Sequence, residues 1–168
     1  MKNNNLINFK HLTKHNARFF LAKSEPESYS IEDLEKEAIT WWDGVRNYTA
    51  IIVIKSWKIG DYVFFYRSVR TPAIVGIMKV ISLPIFDTND ERGISWKAQL
   101  ELVAKFDREL TLKEIKASGL FNDFMLVRNS RLSTMACNTE FVNYVLDRVN
   151  YKYTLDQSKK INKKRAIS

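Results

Sequence analysis

Cysteine occurs once, at Cys137, so no intramolecular disulfide can form and nothing in the sequence calls for an oxidising compartment. The expected location is intracellular, in a reducing cytoplasm. The longest unbroken aliphatic run is Ala50 to Ile54, far short of the roughly 20 residues that carry a helix across a bilayer. No membrane partner is expected. Histidine is confined to His11 and His15, so Cys137 has no imidazole within the body of the chain and a Cys-His nucleophile is disfavoured. The two histidines stand at i, i+4, but two ligands fall short of the three or four that zinc takes, and neither metal nor cofactor is expected. No P-loop and no dinucleotide fingerprint is present. The first seventeen residues carry three lysines without the apolar stretch and cleavage site of a secretory signal, so export is not expected.

What is present is one ordinary globular core. The 168 residues, 45% of them hydrophobic, suit a single domain without internal repeats or low-complexity linkers. The net charge of +8 is unevenly placed. Residues 1–17 carry Lys2, Lys10 and Lys14 with no acid, and residues 151–168 carry six basic residues against Asp156. Residues 18–150 hold 18 basic and 18 acidic side chains and are neutral. The expected organisation is a basic, disordered arm over 1–17, a domain over 18–150 and a basic tail over 151–168. A neutral body attracts phosphate only through a local patch, while "QSKKINKKRAIS" would add salt-sensitive affinity or be a solvated end.

Patterning gives an α+β domain. "RFFLAK" (18–23), "GDYVFFYRS" (60–68) and "AIVGIMKVI" (73–81) read as strands, the last two as a hairpin around Pro72. "SWKAQLELVAKF" (95–106) alternates Trp96, Ala98, Leu100 and Leu102 with polar partners, a strand with one buried face. Ser30 with Asp33 opens a short helix presenting Ile31, Leu34 and Ala38 on one face, Thr111 with Glu114 opens a second, and Thr139 caps a third over "EFVNYVLDRV". "AIIVIKSW" (50–57) is ambiguous: its β-branched run favours a strand, and Asn47 before it suits a helix cap.

Five ordered motifs resolve that ambiguity: "LAKSEPESYSIEDL" (21–34), "WDGVRNYTA" (42–50), "KIGDYVFFYRS" (58–68), "PAIVGIMKV" (72–80) and "SRLS" (130–133). Together they resemble the motif set of the EVE domain family over about residues 18–150. The resemblance implies a PUA-like fold, a curved antiparallel β-barrel flanked by short helices, with residues 47–57 helical. It also implies a non-enzymatic module, akin to YTH and SRA readers, that binds nucleic acid and accepts a modified base, above all a modified cytosine in DNA.

The residues of these motifs suit that chemistry. A protein that inspects one base must unstack it, at a cost of a few kcal/mol, and repay this with an aromatic face and edge-directed hydrogen bonds. Trp41 or Trp42 offers the face; the motif match selects Trp42 for the pocket and leaves Trp41 to pack, since side chains alternate along a strand. Gly44 permits close backbone approach, Val45 follows it in the motif, and Asn47 donates and accepts at a base edge or serves only as a cap. Ser24 and Glu25 end the first strand, where Glu25 would accept from the exocyclic amine of cytosine or adenine, or simply be an exposed acid before Pro26. Tyr66 and Ser68 complete the expected pocket. Asp43 is a pocket residue or the scaffold partner of Arg46. Lys23, Arg46, Arg67 and Arg131 are expected at phosphates, with ion pairing as the alternative for Arg67 and Arg131.

Two other classes stay open on sequence alone. The chain could bind RNA or dock a protein through its basic tail. As an enzyme it would rely on Glu25 and Asp43 as an acid-base pair with no nucleophile beside them, so no catalytic residue is expected. The chain also departs from the family's usual Tyr-x-Ala-Arg-Asn with Tyr48-Thr49-Ala50-Ile51-Ile52, from His at Arg67 and from Gly at Ala73. The loop over residues 86–95 is short, and "SRLSTMAC" replaces a Ser-Arg-Leu-Ser-Val-x-Pro-Val pattern.

Overall fold

Capping side chains set where the helices start, and alternating burial sets which strands join the sheet. The computed structural model describes residues 17–149 with the short segments 6–7 and 153–154. The strands are β1 (Leu6–Ile7), β2 (Phe19–Ser24), β3 (Ile39–Trp42), β4 (Tyr62–Arg67), β5 (Ala73–Val80), β6 (Ile85–Phe86), β7 (Trp96–Thr111), β8 (Thr134–Cys137) and β9 (Tyr153–Thr154). The helices are α1 (Ile31–Glu37), α2 (Tyr48–Lys55), α3 (Leu112–Ala117), α4 (Met125–Arg128) and α5 (Thr139–Val149). β1 and β9 pair antiparallel with Leu6 opposite Thr154. The remainder of the arm and of the tail, including His11, His15 and the terminal basic run, lies outside the described residues.

Local signals hold well at the helix starts. Ser30 and Asp33 form a reciprocal capping box on α1, and Thr111 and Glu114 form another on α3. Asn47 caps α2 by accepting from the Ala50 amide at 3.1 Å, so the β-branched run is helical, as the resemblance implied and propensity did not. Two expectations are corrected. Asn138, not Thr139, caps α5, because its side chain accepts from Phe141 N at 2.9 Å and Thr139 already lies inside the helix. Ala38 is exposed, because α1 ends there with φ +66° and the residue leaves the buried face.

The main sheet runs in the order β3-β7-β5-β4-β2-β8, with β6 also on β7. The fold is α+β, with the sheet curved and helices at its rim, and it differs from the expected antiparallel barrel in two respects. β2 and β4 pair in parallel, because the chain between them crosses over through α1, β3 and α2 and returns in the same direction. The path is also open, with β3 at one edge and β8 at the other. β7 runs to Thr111, five residues beyond the sequence expectation, because β5 continues to pair with it at Leu110 and Thr111.

The core lies where the sheet meets the helices. Val63 to Tyr66 are all buried, as a central strand covered on both faces requires. Trp57, Phe64, Phe65, Phe141 and Leu34 are its largest fully buried side chains. Gly76 in β5 marks the tightest approach: a Cβ there would lie 2.8 Å from the Ala104 carbonyl oxygen and 2.9 Å from Ile31 Cδ1. The β5–β7 ladder shifts register on either side of it. Among the described residues no helix is long and apolar enough to cross a membrane.

Two predictions follow from this packing. Gly76→Ala forces a methyl against a backbone oxygen that cannot swing away, and we expect a loss of roughly 1–3 kcal/mol in denaturant unfolding, the range typical of overpacked cores. An unchanged midpoint would show that β7 yields there. Second, backbone and side-chain hydrogen bonds from the capping residues hold the carboxyls of Asp33 and Glu114 below their ordinary values of 3.8 and 4.5. Each therefore binds fewer protons folded than unfolded in acid, so its contribution is full above those values and is lost as pH falls through the lowered ones. The melting temperature is expected to be level from pH 7 down to about 5 and to fall below about pH 4; a flat profile there would rule out this source of stability.

Candidate functional site

Because the curled sheet does not close, its two edges face one another across a gap. One rim is β3 and the loop that follows it, residues 39–47; the other is the end of β2 with Arg131 and Ser133 ahead of β8. The Lys23 amide donates to Ser133 O at 2.8 Å and ties these two segments together. Helix α2 packs on both β8 and β7 and so holds the edges at a fixed separation. The gap is a cleft of about 920 Å³.

Of the expected pocket residues, Ser24, Trp42, Asp43, Gly44, Val45 and Asn47 line this cleft, as do the expected cations Lys23, Arg46 and Arg131. Four others do not. Glu25 is exposed, and its carbonyl accepts the Ser28 and Tyr29 amides at 2.9 Å in a turn that carries the residue away from the cleft. Tyr66 is buried in the core, where desolvation pushes its hydroxyl up to about 12. Ser68 supports from behind, donating from its hydroxyl to Ser24 O at 3.1 Å. Arg67 is committed elsewhere: its guanidinium makes a forked pair with Glu109 at 2.9 and 2.6 Å and donates to Thr71 O. Those contacts use four of its five N–H donors, so the alternative of ion pairing holds.

Trp42 lines the cleft as expected, and Trp41, expected only to pack, lines it as well. Trp42 sits opposite Ala98 on the core face of the β3–β7 ladder, packs edge-on against Phe65 at 5.6 Å and is only 7% exposed. Trp41 sits opposite Gln99 on the other face and is 40% exposed. Both line the cleft, but the Trp41 ring is the more exposed, with the Lys97 ammonium over it at 5.4 Å from the centroid. The anticipated Asp43–Arg46 pair does not form; among the described residues neither side chain makes an ion pair. Gly44 adopts φ +67° with open space around a would-be Cβ, so its glycine is needed for backbone conformation rather than for close approach.

Several lining residues had no local sequence signal. Tyr29 and Glu37 form one polar wall, with the Tyr29 hydroxyl donating to Glu37 at 2.6 Å. Burial, then the adjacent Glu37, pushes Tyr29 up to about 12, so it remains a donor at neutral pH. Gln99 reaches the cleft only through its register with Trp41, and Ser133 only through the β2–β8 pairing. Burial lowers the Lys23 ammonium, whose Nζ donates to Ser130 O at 3.1 Å. The cleft thus sets three cations, Lys23, Arg46 and Arg131, against the carboxylates of Glu37 and Asp43. Its polar groups can donate and accept beside an aromatic face. Cys137 lies outside it, and burial pushes its thiol up, away from the nucleophilic thiolate. Among the described residues no three His, Cys, Asp or Glu side chains gather in a metal-holding group.

An open, curled mixed sheet with a polar, aromatic-lined cleft between its edges defines a PUA-like α+β fold. The YTH domain of Zygosaccharomyces rouxii MRB1 shares it, at 18% identity and a TM-score of 0.52 over 83% of this chain and 91% of that one. More closely, the chain belongs to the EVE domain family, which matches residues 18–148. It is 31% identical to thymocyte nuclear protein 1 of Rattus norvegicus over 82% of this chain and 76% of that protein. It also resembles the human THYN1 protein solved in complex with 5-methylcytosine-containing DNA, at 27% identity and a TM-score of 0.73 over 82% of this chain and all of that one.

Asn47 has a structural part that substitution can isolate. Its Oδ1 holds the α2 cap while its amide nitrogen keeps two donors. Asn47→Ala is expected to cost about 0.5–2 kcal/mol in thermal or denaturant unfolding, and Asn47→Asp, an equally good cap, close to nothing. Equal stability of both variants would show that the cap is not needed.

Proposed function

We propose that this chain is a non-enzymatic nucleic-acid-binding module that takes one modified base into the cleft between its sheet edges, with a modified cytosine in DNA as the preferred ligand. The observation that carries this reading is the exposed Trp41 ring beside opposed donors and carboxylates in a cleft of about 920 Å³. That volume lies within the roughly 300–1,000 Å³ of small-ligand sites. The human relative's complex with 5-methylcytosine DNA supports the same choice of ligand.

The division of labour follows from the chemistry. Trp41 supplies the stacking face, worth about 1–3 kcal/mol per base, and Trp42 closes the wall behind it. Asn47, with its oxygen occupied by the cap, presents donors that suit the O2 and N3 acceptors of cytosine. Glu37 takes the part first assigned to Glu25, accepting from an exocyclic amine, with Asp43 as the second carboxylate on the rim. Ser24 and Val45 shape the floor. Arg46, Arg131 and Lys23 hold flanking phosphates, which position the strand without reading it. The basic segments 1–17 and 151–168 add affinity that is independent of sequence and falls with salt.

The test is anisotropy of labelled short oligonucleotides, unmodified or carrying 5-methylcytosine, 5-hydroxymethylcytosine or N6-methyladenine, at two salt concentrations. We expect the 5-methylcytosine strand to bind most tightly, Trp41→Ala to cost about 1–3 kcal/mol of that binding, and Asn47→Asp to weaken it without lowering the melting temperature. Equal, salt-sensitive binding to every strand would reduce the protein to an electrostatic binder. Undiminished affinity in a folded Trp41→Ala protein would remove that ring from the site.

A further inference from the structure

The rim loop over residues 43–47 carries the cleft's backbone turn, yet neither Asp43 nor Arg46 pins it. It is held from the far side by the hairpin loop between β6 and β7. Arg92 donates from Nη2 to Val45 O at 3.3 Å and from Nη1 to Arg46 O at 3.2 Å, while its Nε donates to Asp90 Oδ1 at 3.2 Å. Asp90 is itself fixed, its Oδ2 accepting the amides of Ile94 at 3.0 Å and Ser95 at 2.8 Å. The Ser95 hydroxyl adds a second donor to Val45 O at 3.1 Å.

The geometry is specific. Val45 O and Arg46 O belong to the two peptide planes that flank the Arg46 Cα, so holding both carbonyls fixes the direction in which the Arg46 side chain leaves the backbone. It also fixes the plane that leads into Asn47. A planar guanidinium can reach two successive carbonyls and a carboxylate at once, and an ammonium cannot. The hydrogen bond from the Ile94 amide, the largest influence on it, keeps the Asp90 carboxyl below its ordinary range, so the contact that fixes the carboxylate also favours its charged form.

We infer that Arg92, oriented by Asp90, is a positioning residue that holds the loop over residues 43–47 in the form that presents Arg46 and Asn47 to the cleft. For its effect on ligand binding this rests on the nucleic-acid reading above, whereas the bracing of the loop does not. Arg92 lies outside the cleft lining and acts through the backbone it holds.

Three measurements on the full chain test it with Arg92→Ala and Arg92→Lys. Hydrogen exchange in the free protein of the Ala50 and Ile51 amides, which donate to Asn47 Oδ1 and Asn47 O, is expected to quicken about tenfold in Arg92→Ala, with Arg92→Lys intermediate and the melting temperature nearly unchanged, since the side chain is partly exposed. Affinity for a labelled 5-methylcytosine oligonucleotide is expected to fall roughly tenfold, the effect of losing two pinning hydrogen bonds, with the slope of affinity against salt unchanged. Exchange at the wild-type rate in Arg92→Ala would overturn the inference. So would a salt slope shallower by about one unit, which would make Arg92 a direct phosphate contact. If the wild type binds no oligonucleotide, the nucleic-acid reading fails while the exchange measurement still decides the brace.

Discussion

Strand β7 pairs with β3, β5 and β6 along 16 residues, and the rest of the sheet is built on it. In its ladder with β5, Gly76 lets the Ala104 carbonyl and the Ile31 side chain come closer than any Cβ would allow. Register shifts beside Gly76 and at Phe65 in the neighbouring ladder increase the local twist. In a flat sheet, five strand spacings would put β3 and β8 roughly 24 Å apart. Curling brings both edges to the lining of one cleft, so the site is a consequence of the curl and of the open path it leaves.

That dependence explains what was legible in the sequence. The caps at Ser30, Asn47 and Thr111 rest on hydrogen bonds three residues long, and composition reveals such features. Asn138 and Thr139 are both good capping residues and stand side by side, so local sequence does not choose between them. Helix α2 was beyond propensity, since Ile51, Ile52, Val53 and Ile54 all favour strands. Burial of Ala50, Ile51 and Ile54 on one face overrides that preference. Within the site, the contiguous run from Trp42 to Asn47 was legible as a motif. Glu37, Gln99 and Ser133 were not, because they reach the cleft through strand register and curl, which no local pattern encodes.

The arginines show the same division between local and distant information. Sequence marks Arg46, Arg67 and Arg131 alike as cations near strand ends, but a carboxylate brought from elsewhere decides their roles. Glu109, 42 residues on, captures Arg67, while Asp61 captures Arg18 beside the buried start of β4. Arg46 and Arg131 meet no such partner among the described residues and remain on the cleft rim. A body with equal numbers of acidic and basic residues thus still sets three cations against two carboxylates at the cleft.

The departure from the family pattern at Ile51 and Ile52 can now be placed. Ile51 is buried in the core and Ile52 is exposed on α2, so neither supplies the polar contact that an arginine and an asparagine would make there. Both positions lie beyond the cleft lining, which ends at Asn47. On the proposed reading, discrimination rests on the short stretch between Trp41 and Asn47 and on the wall made by Tyr29 and Glu37. Under that reading the site has little redundancy: with α2 contributing packing instead of hydrogen bonds, the orientation of the loop ahead of it would govern how well a base edge is met. The short β6–β7 loop then matters for its grip on two carbonyls of that stretch, more than for any surface of its own.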